Sequence, residues 1–430
     1  MRRTLARWIP AALAVATWAG AAGCRTTDTT ARRYLYVWAG DSASQASDFL
    51  AVIDADPNSA HYGAVVTSLV TGQVGTHPHH TEAEMPANGH LLANGFHAGR
   101  SWLFDLTTPT APKILTTFDA VGGFAFPHTY TRLANGNVLA TFQYAADSSA
   151  PAPSHTPGAA HDAAMAAQPT VAHRTGGLVE MDERGTLIRA RSAHDPAIAD
   201  SLIYPYWVLA LPTADRAVST TTDMDAGNKA STAEWVQFWR LSDLTLLRSV
   251  ALPPGPRGDE HKFTGEPHLL PDGKGVYIHT FDCGLYLIPD PAAANPTATF
   301  VHGFQGVDCG VPILTGHFWL QPVPAAHALV ALDITDPAHP REMSRVSLGD
   351  DENPHWLAID PTGRRVVLNS GGSLGNRLFV IDFDPATGVL AIDQRFRDQG
   401  ADRAGVRMTG KRWPHGFSGT AYPHGTVFSR

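Results

Sequence analysis

Seven segments that each open on a proline recur along this chain, and they restrict its architecture more than any other feature. They begin at Pro78 (PHHTEAEMPANGHLLANG), Pro127 (PHTYTRLANGNVLATF), Pro205 (PYWVLALPTADRAVST), Pro267 (PHLLPDGKGVYIHTF), Pro312 (PILTGHFWLQPVPAAH), Pro354 (PHWLAIDPTGRRVVLNS) and Pro414 (PHGFSGTAYPHGTVF). Successive starts lie 49, 78, 62, 45, 42 and 60 residues apart. The longest gap holds ADSSAPAPSHTPGAAHDAAMAAQPT, a low-complexity insertion at about 146–172 that needs no packed structure. The apolar runs are short and alternating, as in GNVLATF and GKGVYIHTF, and turn signals such as LANGNV and LPDGKGV join them at hairpin spacing. Two stretches, 101–118 and 328–348, share the plan strand, Asp, Thr, Pro, turn, Pro, strand, and 378–396 is a looser copy.

Repeats of ~40–50 residues with four short strands each are the mark of a β-propeller. The expected fold is therefore all-β, a seven-bladed β-propeller over 34–430 in a single domain. The last start has too little chain after it to finish a blade, whereas RRYLYVWAGDSASQASDFLAVIDAD supplies strands with no start of their own. The N- and C-terminal strands are thus expected to share the closing blade, which leaves no free sheet edge.

Ahead of this domain, Arg2, Arg3 and Arg7 precede an apolar, alanine-rich run ending in Ala21, Ala22, Gly23 and Cys24. Such a run reads as an export signal over 1–23, and AAGC resembles a lipoprotein cleavage box with Cys24 as the lipidated first mature residue. RRTLA also passes as a weak twin-arginine signal. Residues 24–33 then form a short linker. The expected location is the periplasm or an outer membrane, with membrane contact only through the lipid. The formal net charge of −8 becomes more negative once those arginines are removed, which argues against nucleic acid as a partner. In an exported chain the remaining cysteines, Cys283 and Cys309, are candidates for a disulfide, with a thiolate metal site as the alternative.

Pro-His occurs six times, where random placement of 32 prolines and 21 histidines gives roughly one or two. Proline suits the first residue of a strand, but it does not explain the histidine after it. In a propeller the first strand of each blade lines the central channel, so equivalent residues converge near one point. His79 or His80, His128, His268, His355 and His415 are expected to face one another there. Strand alternation lets only one of His79 and His80 do so. Clustered neutral imidazoles bind zinc or copper, and redox chemistry favours copper. Glu82, Glu266 and Glu352 lie within three residues of these histidines and are candidate supporting partners or extra ligands. His424 is less well placed in the repeat and is not expected at the axis.

With these residues placed, the chain resembles the selenium-binding protein and methanethiol oxidase family. YLYVWAGDSASQASDFLAVIDADPNSAHYGAVV is similar to that family's opening, and the paired His79 and His80, the LFDLTTPTAPKI hairpin, FPHTY around His128, YPYWVLALPTADRAVSTT and LDITDPAHPR follow in family order. Members that bind selenium carry cysteines shortly after the paired histidines, and TEAEMPANGH has none. The resemblance implies an exported copper enzyme that oxidises methanethiol with oxygen and water to formaldehyde, hydrogen sulfide and hydrogen peroxide. Two further readings are a metal-binding propeller scaffold without turnover, and a lactonase-like hydrolase holding zinc or calcium.

Overall fold

Burial separates the strands into two kinds. Tyr34–Asp41 is buried along its whole length, and Ser47–Asp54 nearly so, whereas Val65–Val74 alternates between half-buried and exposed. An inner strand packed on both faces reads as a continuous apolar run, and the outermost strand of the same sheet keeps one face in water. The computed structural model describes residues 33–146, 174–198, 202–224, 234–370 and 376–430. The export signal, Cys24, and the insertion beyond Ala146 lie outside them. Residues Arg32–Arg430 gather into one unit, and the described residues contain no α-helix.

Seven sheets form the blades of a propeller. Blades 2 to 7 run consecutively over 78–118, 124–192, 205–251, 264–303, 313–347 and 354–392, each with its first strand innermost and successive strands antiparallel. Blade 1 is shared: its outer three strands are Val65–Val74, Ser47–Asp54 and Tyr34–Asp41, and its innermost is Ala421–Phe428. Leu35 pairs with Phe428 and Asp41 with Ala421, so the ends of the domain close the ring as expected. The strand that closes it, however, begins at Ala421 and carries Pro423, not Pro414. Residues Lys411–Arg412 and Ser418–Gly419 form instead a small separate ribbon around Pro414.

The core lies between blades, not within one. Trp38 of blade 1 meets Trp102 and Phe104 of blade 2 with ring centroids 5.4 and 5.6 Å away, and its Nε1–H donates to the Asn94 carbonyl oxygen at 2.7 Å. Such fully buried aromatic pairs hold neighbouring sheets face to face.

Cys283 and Cys309, both wholly buried, form a disulfide. It ties the turn ahead of strand Gly284–Ile288 in blade 5 to the segment that enters blade 6, closing a separation of 26 residues. Replacing both cysteines with alanine should lower unfolding free energy by about 2–4 kcal/mol, because the unfolded chain regains the freedom of that loop. Urea denaturation of the variant beside the parent checks this.

Candidate metal centre

Proline at the inner strand does more than start it. In blade 2, Pro78 pairs with Gly95 and Thr81 with Ala93, so three steps on the inner strand match two on its neighbour. The same β-bulge follows Pro127 in blade 3 and Pro205 in blade 4, appears after Pro354 in blade 7, and recurs at Pro423 in blade 1. Proline has no N–H for the ladder, and the bulge turns the next residues away from regular alternation. A side chain from the second strand takes the N–H stranded at the bulge: His80 N donates to Asn94 Oδ1 at 2.7 Å, Thr129 N to Thr141 Oγ1 at 3.1 Å, and Trp356 N to Asn369 Oδ1 at 2.9 Å.

The residues after these prolines are His79, His128, Tyr206, His355 and His424, and with His80 added this ring contains four of the six predicted ligands, His79, His80, His128 and His355. His79 Nε2 lies 3.0 Å from His128 Nε2, and His355 Nε2 lies 3.0 Å from His424 Nε2. The ring centroids of His79 and His424 are 4.1 Å apart, which joins the two pairs. Both residues of the His79–His80 pair enter the cluster, stacked at 4.0 Å and 13°. The expectation that only one faces the channel fails because the bulge abolishes the alternation it relied on. His79, His80 and His424 each offer one ring nitrogen, all within 4.8 Å of one another.

His424 is therefore central, contrary to the expectation from its place in the repeat. The signal lay in its own Pro-His and in the alternating AYPHGTVF, which can serve as a closing strand. Gly425 beside it is required: a Cβ there would come within 2.4 Å of Thr81 N, so glycine lets blade 2 bring His79 and His80 close.

Two predicted ligands are elsewhere. His415 sits on the small ribbon, where its Nδ1 meets Ser68 Oγ at 2.7 Å and its ring packs on Phe49 at 4.7 Å, against the outer strands of blade 1. His268 packs edge-on against Trp319 at 5.0 Å. In blade 5 the bulge falls between Thr264 and Pro267, so Thr264 takes the place that proline has in other blades and His268 pairs regularly with Tyr277. Glu266 then occupies the position of His80, its amide donating to His279 Nδ1 at 3.0 Å. A Cβ on Gly265 would lie 1.9 Å from the His279 ring, which fills that space.

The three carboxylates divide similarly. Glu82 accepts from Arg132 Nε at 2.7 Å and from Leu92 N at 2.8 Å, and Glu352 lies 3.1 Å from Arg403 Nη2 and 3.3 Å from Arg377 Nε. These two are engaged by arginines and are corrected to structural ion pairs. Glu266 is buried beside the ring; its Oε2 lies 2.9 Å from His279 Nδ1, but that nitrogen already takes the Glu266 amide hydrogen, so the approach is not a hydrogen bond.

The protonation pattern follows from the partners. His128 Nδ1 lies 2.8 Å from the Tyr206 carbonyl oxygen and must carry hydrogen there, leaving Nε2 with its lone pair toward His79. His79 Nε2 then donates, and the lone pair of His79 falls on Nδ1. That Nδ1 is buried without a hydrogen-bond partner, as is Nδ1 of His80. An unpartnered buried nitrogen costs about 1–3 kcal/mol, and a metal ion satisfies it. An all-imidazole donor set that includes the unpartnered Nδ1 atoms of His79 and His80 thus fits a borderline transition metal.

Burial lowers the pKa of His79, His80 and His128, the first two further through neighbouring histidines, and places His128 at about 3. Low basicity keeps the nitrogens available as ligands at neutral pH.

No family model matches the chain. Over 120 residues it is 32% identical to a methanethiol oxidase of Hyphomicrobium sp, a match covering 26% of this chain and 27% of that protein. Over 107 residues it is 31% identical to selenium-binding protein 2 of Arabidopsis thaliana, covering 21% and 22%. The matched segments thus span about a quarter of each relative. Among solved structures, a hypothetical selenium-binding protein from Sulfolobus tokodaii superposes with a TM-score of 0.66 at 16% identity, covering 93% of this chain and 95% of the other. These partial matches make the chain similar to methanethiol oxidase and selenium-binding protein sequences over part of its length, and the superposition shows a shared propeller fold. A periplasmic gluconolactonase from Pseudomonas aeruginosa, at TM-score 0.60 and 14% identity over 93% of this chain and 99% of its own, shares the propeller.

Stability of the metal-free protein should depend on pH through these histidines. Their folded pKa values lie below the unfolded value of about 6.5, so the unfolded chain binds more protons between about 6.5 and 3, and stability falls as pH drops through that window. Each fully participating histidine contributes about 1.4 kcal/mol per pH unit. Urea melts of metal-free protein at pH 7, 6 and 5 should show the decline, and His128→Phe should reduce its slope.

Proposed function

We propose that this protein is an exported, copper-dependent oxidase of small thiols, with methanethiol as the reference substrate. The observation that carries the reading is the convergence of His79, His80 and His424 from two blades, ring nitrogens within 4.8 Å, with the Nδ1 atoms of His79 and His80 buried and without hydrogen-bond partners. His128 and His355 are direct neighbours of that group and complete the donor set. A bound copper would supply Lewis acidity toward a thiol and one-electron exchange with oxygen. The overall reaction converts methanethiol, oxygen and water to formaldehyde, hydrogen sulfide and hydrogen peroxide.

What the chain itself contributes is orientation and dryness. Tyr206 fixes the His128 tautomer through its carbonyl oxygen, and its Oη lies 3.4 Å from His80 Nε2. Trp207 and Trp356 flank His80 at 5.2 and 5.0 Å, excluding water from its ring. Phe96 lies 6.2 Å from His79 and 5.8 Å from His128, and it joins Tyr144, Tyr204, Phe126 and Met224 in an aromatic cluster beside the centre. An apolar, sulfur-tolerant wall of this kind suits a small thiol better than a sugar. Export, with Cys24 as lipid anchor, is supported by the arginines and apolar run that precede it.

Metal analysis of protein produced in the periplasm tests the reading. Copper near one per chain, with peroxide released when methanethiol is added, is the expected result. Copper without oxygen uptake would replace it by a metal-binding scaffold, and zinc or calcium by a hydrolase. His424→Ala should weaken copper affinity by more than about 100-fold, since even outer partners of a ligand cost 10–100-fold. His415→Ala and His268→Ala should leave affinity unchanged, which competition with a copper chelator reads directly.

A further inference from the structure

The centre just described is closed off from solvent by its neighbours, and that raises the question of how an ion reaches it. His79 is 4% exposed and His80 not at all, with Phe96, Tyr206, Trp207 and Trp356 packed about them. Moving an ion through such a wall without replacement ligands costs tens of kcal/mol. Entry requires a succession of donor atoms.

Two histidines unused by the proposed chemistry supply one. His97 is half-buried on the tight turn closed by Gly99 N donating to the Phe96 carbonyl oxygen at 2.9 Å. Its ring centroid is 4.2 Å from that of His77, and His77 is 5.4 Å from His79. The three rings form a file from the protein surface to the buried cluster. Imidazole nitrogen binds zinc or copper at about 2.0–2.1 Å, so rings this close allow an ion to gain its next nitrogen before losing the last.

The backbone at His77 shows that the imidazole, not the local conformation, is particular to this blade. His77 has φ +56°, and Phe126 and Phe263, which also precede the bulge in their blades, have φ +60° and +58°. Left-handed backbone is unfavourable for bulky residues and persists only where surroundings enforce it. Here Thr76, the preceding residue, is held by Asp48 Oδ2, which accepts from Thr76 N at 2.6 Å and from Thr76 Oγ1 at 2.7 Å. Phenylalanine fills this position in blades 3 and 5; blade 2 alone of these three offers a nitrogen donor.

We propose that His97 and His77 form a metal-entry track that delivers copper to His79. The inference rests on the reading of the histidine cluster as a metal centre. Its chemical class of ligand is a borderline or soft transition-metal cation, and the track acts in loading rather than in turnover.

Copper uptake by metal-free protein tests it, with aqueous Cu(II) as the probe and quenching of tryptophan fluorescence as the readout, since Trp207 and Trp356 flank His80. His97→Ala and His77→Phe should take up copper at least about tenfold more slowly while reaching the parent's final copper content. His77→Phe preserves the fold because phenylalanine already occupies the equivalent left-handed position elsewhere in the propeller. Uptake at the parental rate in both variants would overturn the track, indicating entry from the half-buried His355 side. Loss of final copper content in His77→Phe would also overturn it, making His77 a ligand. If the parent itself binds no copper, the metal-centre reading fails first and the track with it.

Discussion

Pairing of Tyr34–Asp41 with Ala421–Phe428 is the interaction on which the rest depends. Tyr34 N donates to Ser429 Oγ across 395 positions of sequence, and the ladder beside it turns seven open sheets into a ring. Closure gives blade 1 its innermost strand, and it lets the interblade cores, such as Trp38 against Trp102, pack on both sides of every inner strand. The same strand delivers His424. Fold closure and assembly of the imidazole cluster are therefore one event, made by one set of backbone hydrogen bonds.

A second constraint acts locally. Each proline after which an axial residue projects interrupts the ladder, and a polar side chain from the adjacent strand must then satisfy the stranded amide. Asn94, Thr141 and Asn369 do this in three blades, and His279 does it in a fourth. The bulges thus carry their own supports, which keeps the axial imidazoles fixed even though they gain little from one another. Packing several basic rings together in a dry place disfavours their protonation, and the resulting neutral lone pairs are what a cation needs.

Much of the fold was legible because its signals are local and repeated. Proline-initiated strands, hairpin turns and the orphan strands near the N-terminus together specify a ring with a shared blade. The centre was legible only in part. Pro-His marks entry into a strand, but the bulge depends on which residue of the neighbouring strand caps the freed amide, and that partner is 12 to 14 residues away in sequence. His268 failed because blade 5 places its bulge three residues earlier, with Thr264 in the role of proline. His415 failed because two Pro-His pairs occur near the C-terminus and only the strand pairing chooses between them. Glu82 and Glu352 were read from proximity in sequence, whereas Arg132, Arg377 and Arg403, remote in the chain, claim their carboxylates.

The placement of His424 has a consequence for timing during synthesis. His79, His80 and His128 leave the ribosome hundreds of residues before Ala421–Phe428 is made, and until that strand docks His424 is missing from their group. A nascent chain therefore holds fewer than the full set of nitrogens throughout translation. If the cluster holds an ion as proposed, capture at full strength must wait for ring closure, which would couple possession of the ion to completion of the fold and, were the chain sent across a membrane, leave the choice of metal to the compartment where that closure occurs.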